Sequence, residues 1–145
     1  MRITEIDLQC EDVMWFGVDN QNHVFECTSA GCGNVPEFVC KSKENTDFLV
    51  NFFVQELNEF TQENLLVDYN NTNELLNDCI QLSRKGIYCF DIFEKNEKQY
   101  VKLAEPIKPL HYDELPQKVK EVLSVNRVDV DVMNEMVISV KHAYD

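Results

Sequence analysis

Alternating and helical hydrophobic patterns take turns along this chain, and their order predicts its elements. Val13-Met14-Trp15-Phe16-Gly17-Val18-Asp19 is rich in β-formers and runs into the polar stretch Asn20-Gln21-Asn22. His23-Val24-Phe25-Glu26-Cys27-Thr28 follows, so the two segments read as a hairpin closed by a polar turn. Residues 28–36 then gather two of the four glycines and one proline, which predicts a loop of defined shape.

Helix signals begin near Ser42 or Asn45. Val50, Phe53, Val54, Leu57 and Phe60 recur at helical spacing, and Leu49 and Phe52 widen the apolar face. With only Asn51, Gln55, Asn58 and Glu59 on its polar side, this helix is expected to be central and buried on most of its circumference. Residues 61–73 read as a connection, with Asn70-Asn71-Thr72-Asn73 supplying turn and cap chemistry. Asn71 and Glu74 make an approximate capping pair for a second helix through Lys85, with Leu75, Leu76, Cys79, Ile80 and Leu82 on its apolar face. Gly86 is placed to end it.

Ile87-Tyr88-Cys89-Phe90-Asp91-Ile92-Phe93 is the clearest strand, and a turn over residues 94–99 links it to Tyr100-Val101-Lys102-Leu103-Ala104. Pro106 and Pro109 interrupt regular structure. Asp113 or Glu114 opens a short helix with Pro116 in its first turn. Residues 136–142 read as a last strand, and residues 128–132 as a weaker one with alternating acids facing water. The order ββ-αα-ββ-α-β predicts an α+β fold: an antiparallel sheet built from hairpins, with two or three helices packed against it. A length of 145 residues, without an evident linker or repeat, suits a single domain over residues 1–145.

Six cysteines invite a disulfide framework, but a chain of this size does not need one, and Cys89 lies in an apolar run where a thiol packs as a small hydrophobe. The first residues, Met1-Arg2-Ile3-Thr4-Glu5-Ile6-Asp7, lack the apolar core of a signal peptide. The longest apolar-dominated stretch, residues 48–54, is too short to span a bilayer. A cytoplasmic location with reduced thiols is the expectation.

Candidate chemistry is sparse. His23, Cys27, Cys32 and Cys40 are zinc-ligand types, yet their spacings match no compact finger, so neither metal nor cofactor is expected. Cys32 between Gly31 and Gly33 is the alternative nucleophile: flanking glycines would leave backbone N–H groups free to stabilise a thiolate or an oxyanion. It would need a base, and His23, His111 or His142 could reach it only through the fold. Glu56, Glu59 and Glu63 would line one side of a helix, a pattern that usually marks a solvated face. Phosphate-loop, dinucleotide, zinc-protease and serine-hydrolase motifs are missing from the sequence. A non-enzymatic role is therefore expected.

Charge changes the picture most. From Glu11 to Asp78 stand thirteen acidic residues against Lys41 and Lys43 alone, so nearly all of the chain's net charge of −13 resides there. Such a region repels nucleic acid and anionic membrane and steers a basic partner towards itself. Glu44, Asp47, Glu56, Glu59, Glu63, Asp68, Glu74 and Asp78 are the candidate partner-binding residues.

Residues 12–40, with the aromatic strand Trp15-Phe16-Gly17-Val18-Asp19, the strand His23-Val24-Phe25 and the loop Ser29-Ala30-Gly31-Cys32-Gly33-Asn34-Val35-Pro36, resemble small bacterial proteins of the polymorphic-toxin immunity type. Here Asn20 and Asn22 replace the turn's usual glycine. The resemblance implies a cytosolic inhibitor that masks a toxin, often a nuclease with a basic active site. The expectation is an acidic protein-binding module of that kind. A thiol-dependent enzyme and a structural subunit with a solubilising acidic face are the alternatives.

Overall fold

The computed structural model describes residues 1–58, 61, 63–68 and 77–145. The expected contributions of Glu59, Phe60, Glu74, Leu75, Leu76 and the asparagine run 70–73 lie outside the described residues.

The first hairpin forms as its alternation predicts. β1 (Met14–Val18) pairs antiparallel with β2 (Val24–Thr28), from Met14 opposite Thr28 to Val18 opposite Val24. At the turn Asn22 adopts a positive φ of 62°, which asparagine tolerates better than most residues. The buried Asp19 carboxylate accepts N–H bonds from Gln21 and His23 at 2.9 and 2.8 Å. β4 (Tyr88–Phe93) and β5 (Asn96–Glu105) make the second hairpin, with a tighter turn than the one expected over residues 94–99.

The sheet is mixed, and this corrects the purely antiparallel expectation. β2 and β4 run parallel, with Glu26 opposite Cys89. The long segment between the hairpins crosses over and returns the chain in the same direction, which two adjoining hairpins could not do. β3 (Val67–Asp68) and β6 (Val137–Ser139) both pair with β5, giving a sheet of six strands among the described residues.

Among the described residues five α-helices form where two or three were expected: α1 (Glu5–Cys10), α2 (Glu37–Cys40), α3 (Lys43–Val50), α4 (Asn77–Arg84) and α5 (Gln117–Leu123). α1 was not anticipated, because its six residues are too few to display a periodic pattern. The Ser42 side chain caps α3 by accepting the Asn45 N–H at 3.1 Å. Gly86 follows α4 with φ of 102°, the left-handed conformation that stops a helix. A 3₁₀ turn, Tyr112–Glu114, precedes α5, and Pro116 is that helix's N-cap and not a member of its first turn.

The central helix departs most from expectation. After Val50 the backbone widens into a π-helical stretch, Asn51–Glu56, and ends at the extended Leu57. Leu49 and Phe53 are buried, with Phe53 stacked on Phe16 at 4.6 Å between ring centroids. Val54, Gln55 and Glu56 face water. The wider turns rotate the later apolar positions off the line that an α-helix would hold against the sheet, so the helix presents one face to the core.

Strand residues alternate between two apolar layers. Trp15, Phe25, Cys27, Tyr88, Phe90 and Tyr100 pack on one side of the sheet with Val35, Val39, Val132 and Ile138. Phe16, Val18, Val24, Cys89 and Ala104 pack on the other, with Leu49 and Phe53, Leu82 of α4, and Val119 and Leu123 of α5. Residues 128–132 form no strand. Their backbone instead joins the end of the first hairpin, with Val128 N–H donating to Val18 C=O at 3.0 Å and Asn20 N–H to Val130 C=O at 3.0 Å. Among the described residues no helix is long and apolar enough to cross a membrane.

Candidate functional site

Carboxylates gather where α1 meets α3. Thr4 and Asp7 cap α1 reciprocally: Thr4 Oγ1 accepts the Asp7 N–H at 3.1 Å, and Asp7 Oδ2 accepts the Thr4 N–H at 2.9 Å. Hydrogen bonds to the Asp7 carboxyl from the Thr4 backbone N–H, and then from the Thr4 side chain, hold it below its ordinary range. The helix stops at Cys10, and Glu11 and Asp12 lead into β1. Asp7, Glu11 and Asp12 then face Asp47 of α3 across a hollow of about 290 Å³, with Ile3, Val13, Met14, Thr46 and Val50 as further lining. Lys43 lines the hollow too, but its ammonium bonds Asp47 at 3.1 Å, and that bond raises its pKa. Glu44 stands at the Met1 end, accepting from the Met1 amine at 2.7 Å.

A second hollow of about 290 Å³ adjoins at Met14 and carries Val54, Gln55, Asp78, Gln81, Leu82 and Lys85. Lys85 is fixed there by backbone carbonyls. Its Nζ donates to Phe53 C=O at 2.9 Å and Val54 C=O at 3.0 Å, which ties α4 to the end of the π-helical stretch. Burial lowers its pKa. The first hollow, with its four carboxylates beside Val13, Met14 and Val50, is an acidic groove; the second carries one acid, Asp78, and one base, Lys85.

The structure divides the residues anticipated from sequence. Asp47 lines the first hollow and Asp78 the second, while Glu44 sits at one end. Glu56 is exposed and accepts from the Asn51 side chain at 3.0 Å. The expected helical row through Glu63 does not form, since the helix ends at Glu56. Glu63 instead lines a different hollow with Arg84, Lys85 and Lys108, where its charge has basic neighbours. Asp68 takes its place in β3 opposite Ala104. Glu59 and Glu74 lie outside the described residues. Asp7, Glu11 and Asp12 were not among the anticipated site residues. The signal for them was the pattern Thr4-x-x-Asp7, a helix start that brings an otherwise unremarked N-terminal segment beside α3.

The loop around Cys32 is shaped by packing. Ala30 and Gly31 take positive φ of 51° and 78°, and Asp12 Oδ1 accepts the Ala30 N–H at 2.8 Å. A Cβ on Gly33 would fall 2.3 Å from Ile92 Cδ1 and 2.9 Å from the Tyr100 hydroxyl, so the glycine allows close approach. Contrary to the expectation of free amides, the N–H groups of Cys32 and Gly33 both donate to Ser29 C=O, at 3.1 and 2.9 Å. The exposed Cys32 thiol is raised above its ordinary value, by burial first and then by the carboxylates of Glu97, Asp91 and Asp12. Neither feature favours a thiolate nucleophile.

His23, Cys27, Cys32 and Cys40 do not converge as a ligand set: Cys27 and Cys40 belong to the core, and Cys32 faces solvent. Among the described residues the one group of three metal-ligating side chains is Glu26, Cys79 and Cys89, whose ligand atoms lie within 4.8 Å of one another. Glu26 is fully buried, and burial pushes its carboxyl up to about 8 against the opposing bond from Thr28. No protein-family model, no curated protein and no solved structure matches this chain.

Proposed function

We propose that this protein is a non-enzymatic binding module whose acidic groove receives a basic segment of a partner protein, in the manner of an immunity protein masking a basic toxin domain. The observation that carries the reading is the convergence of Asp7, Glu11, Asp12 and Asp47 around one hollow whose single lysine is engaged by Asp47. Carboxylates arranged in this way speed encounter with a cationic surface and disfavour anionic partners. The apolar floor of Val13, Met14 and Val50 offers burial once the partner has docked. A cytoplasmic location fits this role.

The test is co-expression with the product of the adjacent gene, scoring copurification and rescue of growth. Glu11→Lys with Asp47→Lys reverses two exposed groove charges; Glu11 caps α1 only through its backbone and neither side chain caps a helix, so the fold is kept. The double variant should lose both copurification and rescue, whereas Glu63→Lys, which lies among basic residues, should keep them. Equal behaviour of the two variants would overturn the reading.

A further inference from the structure

The crossover that makes β2 and β4 parallel neighbours sets Glu26 directly opposite Cys89, with both side chains on the sheet face that α4 covers. α4 lays Cys79 over them, and a carboxylate oxygen and two sulfurs come within 4.8 Å of one another. Three features make this more than a chance cluster. The first is that Glu26 is fully buried without a basic partner: the charges felt most strongly by its carboxyl are the like charges of Asp91 and Asp12. The second is the hydrogen bonding of that carboxyl. Oε1 accepts from the Thr28 hydroxyl at 2.5 Å, while Oε2 is buried with no N–H or O–H partner and has the Cys89 thiol, a weak donor, beside the carboxyl, a costly arrangement for a polar atom. The third is the ligand chemistry. Two cysteine sulfurs and one carboxylate are the donors of a borderline-soft, four-coordinate divalent ion.

We infer that Glu26, Cys79 and Cys89 form a binding site for zinc or a closely similar thiophilic divalent cation, with a fourth position left for water. Binding displaces the thiol protons of Cys79 and Cys89 and any proton on Glu26 to solvent, and the ion supplies the cation that this buried carboxylate lacks. Thr28 acts from outside the coordination sphere, orienting the Glu26 carboxylate through Oε1 so that Oε2 remains available. Half-buried Cys79 is the ligand through which the ion enters, since Glu26 and Cys89 are closed off beneath it. The ion would join α4 to the two central strands, so its effect is on stability and on the placement of α4, and it does not depend on what the acidic groove binds.

Cobalt(II) alone is the probe. Protein stripped with a chelator and titrated with Co²⁺ should develop a saturable thiolate-to-cobalt charge-transfer band at one equivalent, with the visible intensity of tetrahedral coordination, and Zn²⁺ should bleach it. Zn²⁺ should also raise the melting temperature of the stripped protein, as any ligand specific to the native state does. Cys79→Ser should abolish both the band and the stabilisation. Its position is half-buried, unlike that of Cys89 in the core, so the variant is expected to fold, which circular dichroism checks. Glu26→Gln should weaken Co²⁺ binding by about tenfold or more. Cys32→Ser and Cys10→Ser should change nothing. The proposal is overturned if no saturable band appears, or if the band survives Cys79→Ser, which would place the thiolates elsewhere.

Discussion

Asp19 Oδ2 accepts the Val132 N–H at 3.0 Å and so joins the tip of the first hairpin to a segment 113 residues away. The other oxygen, Oδ1, takes the N–H groups of Gln21 and His23, and the residue is almost wholly buried. One carboxylate thus organises both the turn and the return of the chain's C-terminal part. Asp19→Ala should cost about 3 kcal/mol or more in urea unfolding, because it leaves buried donors unpartnered. Asp19→Asn should not rescue it, since an amide nitrogen cannot accept from Val132. A loss below about 1 kcal/mol would contradict this account.

Arg2 and Glu37 clasp α2 to the N-terminal segment by two parallel bonds of 2.5 and 2.6 Å, and Arg2 Nε also donates to the Tyr144 hydroxyl at 3.0 Å. The Arg2 hydrogen bonds hold the Glu37 carboxyl below its ordinary range. A carboxylate lowered in the folded state stabilises above its unfolded pKa, and that contribution fades as pH falls through the folded value. Glu37→Gln should therefore lower the melting temperature slightly at neutral pH and not at all once wild-type Glu37 is protonated. Both groups are well exposed, so the effect is small. A difference that persists undiminished in acid would show that the clasp works through packing instead.

Gly86 ends α4 under two constraints. Its φ is 102°, and a Cβ there would lie 2.5 Å from Leu110 N and 2.8 Å from Leu110 Cβ. The Leu110 N–H donates to Gly86 C=O at 2.8 Å, so the neighbouring backbone has little freedom to withdraw. Gly86→Ala should destabilise by about 2–4 kcal/mol, as strain and overpacking add. Gly33→Ala should cost less, because the nearest atom it meets is the end of the Ile92 side chain. Chemical denaturation of both variants checks the order.

Thiol reactivity separates a binding protein from a thiol enzyme. Cys10 and Cys32 are exposed, while Cys27, Cys40 and Cys89 are buried. Iodoacetamide at neutral pH should label Cys32 no faster than a free thiol, given its raised pKa, and should reach the buried three only on unfolding. Mass spectrometry of the time course reads this directly. Much faster labelling of Cys32 would restore the nucleophile reading.

Both hairpins were legible in the sequence because each strand alternates between two apolar layers and polar residues separate the paired strands, at residues 20–22 and after Phe93. The parallel seam was not legible. It depends on where a long crossover returns, which no local pattern encodes. For the same reason Glu26, Cys79 and Cys89 give no spacing signal, since the ligands come from β2, α4 and β4. The helix after Ser42 was found, but its hydrophobic count overstated its burial: periodicity cannot foresee the π-helical widening that turns Val54 outward. Half of the groove was visible as an excess of acids. The other half, Asp7 with Glu11 and Asp12, required α1, which is too short for periodicity to reveal.

The most direct test of the central claim is the association rate constant between this protein and its partner, measured by stopped flow across ionic strength. The acidic groove predicts a rate that falls steeply as salt is added, and a slower, flatter dependence for Glu11→Lys with Asp47→Lys. A rate indifferent to salt, or unchanged by the double reversal, would contradict it.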